Sequence, residues 1–267
     1  MIYPLLPEGA FGPYQFLEPR RIWLFVILVS SVSYAGYFVE KFMGARRGLK
    51  LVAVFGGLAS TTAATTSFAR SCKEVPGKQG LYGQASVVAN AIQFPRVLII
   101  LALVSPLLAQ AAAAPLLVMM AAGLVFGLVF LRGTAAEPPS PSAGLRNPFR
   151  LLPALKFGAI FTAILLVTKM AASLFGSDTI YWTSTLGGML DVDAVSLSLA
   201  ELLAQGRVTV AVSLLSIFLA LLMNAVVKTA IAAYAGTAAF AWRTASGFAV
   251  MFGAGAGAWL LMNLGMR

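Results

Sequence analysis

The composition of the chain excludes a water-soluble domain. Its 267 residues are 60% hydrophobic and only 10% charged, with a net charge of +10, and the mean hydropathy is +0.88. Because soluble domains carry about a quarter charged residues, we interpret the chain as a polytopic helical membrane protein whose main partner is the lipid bilayer. Nucleic-acid binding is excluded, because no segment is long enough to carry a water-facing basic patch. A sequence with no histidine and one cysteine also argues against zinc, haem and Ser-His-Asp chemistry.

Eight apolar stretches predict about eight transmembrane segments, since about 20 apolar residues are enough for one helix to cross the bilayer. Their approximate ranges are 22–43, 49–69, 85–110, 114–132, 154–175, 180–200, 208–235 and 244–264. Residues 133–150 are rich in proline, serine and glycine, which predicts a linker. The predicted organisation is a tail (1–21), a first half of four helical segments (22–132) and a second half of four (151–267). Pro115 is expected to open the fourth segment after a tight turn.

Two motifs in the two halves resemble each other. Shifting "GGLASTTAATTS" (56–67) by 131 positions places it on "GGMLDVDAVSLS" (187–198). "EPRRIW" resembles "NPFRLL" at a shift of 129 positions, and Asn90 aligns with Asn224 at a shift of 134. Because these matches keep the same order, we predict an all-α fold of two internal repeats. The shift pairs glycines with glycines and hydroxyls with carboxylates: Gly56, Gly57, Ser60 and Thr62 meet Gly187, Gly188, Asp191 and Asp193.

The orientation of the two halves stays open. If both motif segments cross the bilayer, the halves are parallel, and the basic loops place both termini in the cytoplasm. If the segments are re-entrant, the repeats are inverted, as in many transporters. The distribution of lysine and arginine fits both arrangements. The lengths of segments 49–69 and 180–200 favour eight full crossings.

The adjacent glycines predict a break in the second helix of each repeat, because glycine weakens a helix and lets another backbone approach. The breaks are expected at 56–57 and 187–188, and polar residues follow both of them. An aspartate at the centre of a membrane helix costs roughly 2.5–3.5 kcal/mol. Asp191 and Asp193 therefore indicate a functional site.

We predict that the two motifs build an ion-binding site lined by oxygen atoms, the ligands that hard cations prefer. The expected occupant is an inorganic cation, with Asp191 and Asp193 as its metal ligands. No other cofactor is expected. The alternative interpretation is that the serines and threonines only cap and pack helices. The candidate residues are Asp191, Asp193 and Ser196 of the second motif, Ser60, Thr62 and Thr65 of the first, and the flanking Asn90 and Asn224.

Two basic residues inside apolar segments are candidate charge partners. Lys228 either neutralises Asp191 or Asp193 or extends towards the membrane interface. Arg96 is expected to face a cavity or a carboxylate such as Glu201. Because basic groups near the N-termini of half-helices also attract anions, an anion is the alternative ligand.

The sequence resembles the C-terminal domain of MgtC/SapB-type membrane proteins, without the N-terminal MgtC-like domain of longer members. The similarity extends from about Gly9 to the end of the chain. That domain is of unknown function, and the resemblance implies a bacterial, multi-pass inner-membrane protein connected with ion homeostasis. The motifs that carry it are "EPRRIWLFVILVSSVSYAGYF", "GARRGL", "GGLASTTAATTSFAR", "NPFRLLPALKFG" and "GGMLDVDAVSLSLAEL".

These observations predict a transporter or channel for a small inorganic ion, with a cation favoured. A homo-oligomer is one candidate assembly of the chain. The alternative is a membrane regulator or assembly module that transports nothing and uses the motifs only for helix packing. An enzyme is not expected. The Asp-x-Asp spacing places the two carboxylates about 200° apart around one helix, where they are poorly placed to share a proton.

Overall fold

The structure of the chain, a computed structural model, describes residues 6–7, 9, 18–43, 49–75, 77–130, 151–175 and 179–265. Regular secondary structure in these ranges is helical throughout, which confirms the all-α prediction. The predicted linker, 133–150, and most of the predicted tail, 1–21, lie outside the described residues.

The helices consist mainly of alanine, leucine, valine and phenylalanine. In lipid, every backbone N–H and C=O must be bonded within the protein, so an apolar chain of this kind folds as helices. In chain order the helices are α1 (Pro19–Met43), α2 (Leu49–Glu74), α3 (Gln79–Ala91), α4 (Gln93–Val104), α5 (Pro106–Phe130), α6 (Leu151–Phe175), α7 (Thr179–Leu190), α8 (Val192–Ala204), α9 (Val210–Ala235) and α10 (Ala238–Gly265).

Five stretches of the described residues are long and apolar enough to cross a membrane, which supports a multi-pass membrane protein. The helices α7 and α8 have only 12 and 13 residues, so neither reaches across the hydrocarbon core alone. The number of eight crossings stays a prediction. The five stretches are Leu49–Glu74, Gln79–Val104, Pro106–Val129, Val210–Ala235 and Ala238–Leu261.

Helix α5 shows that the predicted turn before Pro115 is wrong. The helix begins at Pro106 and continues through Pro115. Ser105 marks the start, because its Oγ accepts a hydrogen bond from the Leu108 N–H at 3.4 Å. The helix continues because the alanine run 111–114 favours it. A proline removes one backbone donor, a loss that transmembrane helices tolerate.

The described residues form two compact units, each of which combines segments from both sides of the predicted linker. We name the units after Ser60 and Asp191, the residues at which their motif helices are interrupted. The predicted halves follow chain order and therefore differ from these units. Their organisation as repeats stays a prediction.

The Ser60 unit comprises described residues within 32–98, 112–146 and 225–267. Helix α3 contacts both α2 and α10 in this unit. Phe68 and Tyr82 stack with their ring centroids 6.4 Å apart, and small residues around them let the helices approach closely. The buried apolar core consists of Leu49, Ala53, Ala64, Phe68, Ala69, Cys72, Tyr82, Ala85, Val88, Ala89, Ala232 and Phe240.

The Asp191 unit comprises described residues within 1–31, 99–111 and 147–224. Helix α6 contacts both α7 and α8. Phe161 is buried and meets Phe25 edge to face, with ring centroids 5.5 Å apart. Almost the whole of α8 is buried, including its polar residues, so the second motif lies within the packed interior.

Candidate functional site

The two motif helices are interrupted at corresponding residues, Ser60 and Asp191. Ser60 has φ −166° and ψ 111° inside α2, and Asp191 has φ −161° and ψ 116° between α7 and α8. Each side chain caps the helix that follows. Ser60 Oγ accepts from the Ala63 N–H at 3.3 Å, and Asp191 Oδ1 accepts from the Ala194 N–H at 3.0 Å. The predicted breaks at the glycine pairs are thus at the wrong residues. The residue that leaves the helical conformation is the capping residue, which follows the two glycines by three and four positions.

The cap at Asp191 gives a prediction for stability. Replacing Asp191 with alanine removes the acceptor for the Ala194 N–H and is expected to lower the free energy of unfolding by about 1 kcal/mol. Asp191→Asn keeps an oxygen acceptor of equal capping strength and is expected to change it by only a few tenths. Unfolding of the purified protein in detergent measures both values, and equal losses in the two variants would contradict the capping role.

The second glycine of each pair allows two backbones to touch. A Cβ atom on Gly57 would lie 2.3 Å from the carbonyl oxygen of Ala89, and a Cβ atom on Gly188 would lie 2.3 Å from that of Ala220. Both distances are far inside van der Waals contact, so any side chain here collides with the backbone of the facing helix. Ala89 and Ala220 are separated by the same shift of 131 positions as the two glycines.

Side chains from neighbouring helices bond backbone carbonyls just before each interruption. An extended residue breaks the i→i−4 ladder and leaves such carbonyls in need of other donors. Asn224 Nδ2 donates to the Gly188 carbonyl at 3.0 Å, and Arg96 Nη1 donates to the Leu58 carbonyl at 3.5 Å. The shift that relates Gly57 to Gly188 pairs Asn224 with Gln93, instead of Asn90, the partner that the sequence alignment gives.

Three polar residues of the Ser60 unit form a buried hydrogen-bonded group. Asn90 Nδ2 donates to Thr65 Oγ1 at 2.9 Å and to the Ser86 carbonyl at 2.8 Å. Ser86 Oγ donates to Thr65 Oγ1 at 3.3 Å. Asn90 Oδ1 is buried and has no hydrogen-bond partner among the described residues. The group therefore holds an unused acceptor oxygen.

A lysine of α9 contacts polar residues close in sequence to this group, one on α2 and one on α4. Lys228 is only 1% exposed, and its Nζ donates to Thr61 Oγ1 at 2.6 Å and to Gln93 Oε1. Thr61 Oγ1 also donates to Gln93 Oε1 at 3.4 Å. Lys228 therefore does not extend to the membrane interface, and that alternative is wrong. We call these residues the hydroxyl–amide cluster: Thr61, Thr65, Ser86, Asn90, Gln93 and Lys228.

The predicted site residues occupy different environments. Thr65 and Asn90 lie in the cluster, whereas Thr62 is exposed and its place is taken by Thr61. In the Asp191 unit, Asp193 is buried and Ser196 is fully buried. Ser196 Oγ has no hydrogen-bond partner in the described part of the chain. Both motifs therefore carry buried oxygen atoms just after the interruption.

Within the described ranges, no group of three or more acidic, histidine or cysteine side chains could hold a metal ion. A cation at Asp191 or Asp193 would therefore need further ligands from hydroxyl, amide or carbonyl oxygens, which monovalent and divalent cations both accept.

Three members of the cluster are absent from the sequence-based candidates. Thr61 carries a signal that could have found it, since Thr61 and Thr65 are spaced i and i+4 on one helical face. Gln93 is a carboxamide within an apolar stretch, which is expensive in a membrane unless it is bonded. Ser86 has no signal beyond its position one turn before Asn90.

Comparisons with known proteins add a family but no activity. The profile of a family described as "Domain of unknown function (DUF4010)" matches residues 27–236. An "Uncharacterized protein" of Aquifex aeolicus (strain VF5) is 29% identical over 206 residues, which cover 77% of this chain and 82% of the relative. No solved structure matches the chain significantly.

Proposed function

Since the chain belongs to the family of the domain of unknown function DUF4010, whose description names no activity, we propose from its own residues that it moves a small inorganic ion across a lipid bilayer. The observation that carries this proposal is the pair of interrupted helices, each followed by buried polar side chains. Interrupted helices beside a buried polar site are a recurring way in which transporters bind ions near the centre of the membrane.

Several features support transport over a purely structural role for the polar residues. Asp193 is buried, and burying a charged carboxylate within a membrane protein is costly. Ser196 Oγ and Asn90 Oδ1 are buried acceptors without hydrogen-bond partners in the described residues. Protein interiors leave few polar atoms in this state, and ion binding within each unit would satisfy the unpartnered acceptor of that unit. Each unit thus provides an oxygen ligand in surplus.

A cation is the ion that these ligands favour. Carboxylate, hydroxyl and carboxamide oxygens are the atoms that hard cations bind, and Asp191 and Asp193 supply negative charge. The hydroxyl–amide cluster already surrounds a positive charge, the ammonium group of Lys228, with Thr61 and Gln93 oxygens. The alternative is an anion that pairs with Lys228, in which case the transported ion would be negative.

The proposal includes an organisation of eight crossings in two repeats within the inner membrane. The matching backbone angles at Ser60 and Asp191 support the duplication, as do the matching contacts of Gly57 and Gly188. The resemblance to the C-terminal domain of MgtC/SapB-type proteins is part of the same proposal and stays a prediction.

A membrane module that only packs helices is the second candidate function. The specific observation in its favour is that several motif residues bond or contact the backbone of their own unit. Gly57 contacts Ala89, and Asn224 donates to the Gly188 carbonyl. These contacts would serve a regulator or assembly subunit equally well.

Reconstitution into liposomes tests the proposal directly. Proteoliposomes loaded with fluorescent indicators are compared with protein-free liposomes for uptake of Na⁺, K⁺, Mg²⁺, Ca²⁺, H⁺ and Cl⁻. We expect protein-dependent, saturable flux of at least one cation. Flux of Cl⁻ alone would reverse the predicted sign, and no flux of any ion from folded protein would favour the packing module.

A further inference from the structure

The buried ammonium group of Lys228 has neighbours that resemble ligands of a cation. It is only 1% exposed, and its Nζ donates to the Thr61 hydroxyl at 2.6 Å and to the Gln93 carboxamide oxygen. The amine is thus placed among oxygen atoms that come from two helices far apart from it in sequence. A buried ammonium group requires hydrogen-bond acceptors whatever its role, and here these acceptors are a hydroxyl and a carboxamide oxygen.

The chemistry of these oxygens selects a class of ion. An ammonium group is a compact point charge with three donors, and it carries the same single positive charge as an alkali cation or a free ammonium ion. Hydroxyl and carboxamide oxygens are neutral, so they stabilise one positive charge better than two. A divalent cation needs carboxylate ligands to balance its charge, and neither Thr61 nor Gln93 provides one.

Nearby residues of α2 and α3 contribute further oxygen. Thr65 follows Thr61 by four residues, and Asn90 precedes Gln93 by three. Thr65 Oγ1 already accepts hydrogen bonds from Asn90 and Ser86, while Asn90 Oδ1 has no hydrogen-bond partner in the described residues. This row of oxygens is longer than the contacts of one ammonium group require.

We infer that the hydroxyl–amide cluster is a site for a monovalent cation and that the Lys228 ammonium group occupies it as a tethered cation. A free alkali or ammonium ion then binds only in competition with Lys228. The role of this competition in transport rests on the proposed function, whereas the binding itself does not. The tethered charge would keep the site filled when no free cation is present.

Removing the tethered charge tests the inference. The thermal midpoint of purified protein in detergent is measured for the wild type and for Lys228→Ala, in chloride salts of Na⁺, K⁺, Rb⁺ or NH₄⁺ at constant ionic strength, with N-methylglucamine as the bulky control cation. We expect Lys228→Ala to gain a saturable rise of about 5–10 °C at about 100 times the dissociation constant of the best ion. The wild type is expected to gain none from any of the four ions beyond the control.

Two further variants make the result decisive. Lys228→Met keeps most of the aliphatic stem and removes the charge, so it is expected to show the same ion-dependent rise if Lys228→Ala fails to fold. Adding Thr61→Val to Lys228→Ala removes a ligand and is expected to abolish the rise. The inference is overturned if monovalent cations stabilise neither single variant. This covers folded variants whose thermal midpoint does not change with the ion, and unfolded variants that no ion restores to the folded state.

The outcome separates this inference from the proposed function. Ion-dependent stabilisation of Lys228→Ala, with no flux through wild-type proteoliposomes, would keep the cation site and refute transport. Flux in the wild type, with no stabilisation of either Lys228 variant, would keep transport and refute the tethered cation.

Discussion

Replacing Asp191 and Asp193 together with asparagine is expected to reduce ion flux to the level of protein-free liposomes. The change removes both negative charges of the second motif and keeps the size of the side chains. Asp193 is buried, so its charge is screened little by solvent and contributes strongly to the binding of a cation. The measurement is initial ion uptake by proteoliposomes containing equal amounts of folded protein.

Folding of the double variant is expected to be preserved. Asparagine at position 191 still offers an oxygen to the Ala194 N–H, and asparagine at position 193 keeps the size of the buried side chain and one oxygen acceptor. The matched control is Glu74→Gln, which removes a carboxylate at the exposed end of α2 and is expected to leave flux unchanged. A double variant that keeps full flux would refute the role of the two aspartates. A wild type without flux, together with a double variant that unfolds, would favour the packing module.

Replacing Gly57 with alanine is expected to destabilise the protein by about 1–3 kcal/mol or more, in the range of overpacked cores. The added Cβ would lie 2.3 Å from the Ala89 carbonyl oxygen and 2.9 Å from the Ala89 Cα. These are backbone atoms, so relief requires a whole helix to move. Gly188→Ala is expected to behave in the same way, because its Cβ would meet the backbone of Ala220.

Gly56→Ala is the matched control and should change stability in the opposite direction. Its nearest neighbour would be the Ala64 Cβ at 3.5 Å, an ordinary contact. Alanine is also a better helix former than glycine by about 1 kcal/mol. The thermal midpoints of the three variants in detergent test this contrast. Equal effects at Gly56 and Gly57 would show that the close backbone approach does not limit stability.

The chemistry of the motifs is predictable from sequence, but the position of the interruption is not. A pair of glycines weakens a helix, which points to residues 56–57 and 187–188. In the structure these glycines remain helical, and the second of each pair lies close to another backbone. Ser60 and Asp191 leave the helical conformation because their side chains can accept a hydrogen bond from an N–H of the helix that follows. Glycine has no side chain and cannot make this bond.

The sequence pattern points to Thr62 because the shift of 131 positions pairs it with Asp193. In the structure Thr62 is exposed, whereas Thr61 is buried together with Thr65, its neighbour one helical turn away. A match between two motifs does not show which face of the helix packs against other helices. Contacts such as Lys228 with Gln93 join residues far apart in the chain, and local periodicity carries no information about them.

The long separation of Lys228 from its partners has a consequence for biogenesis. Thr61 and Lys228 are 167 positions apart, and Gln93 and Lys228 are 135 apart. During synthesis, Thr61 and Gln93 leave the ribosome and enter the bilayer well before Lys228 is translated. Chains truncated ahead of α9 would hold these polar groups in lipid without their later partner, and quality-control proteases should recognise them as unfinished.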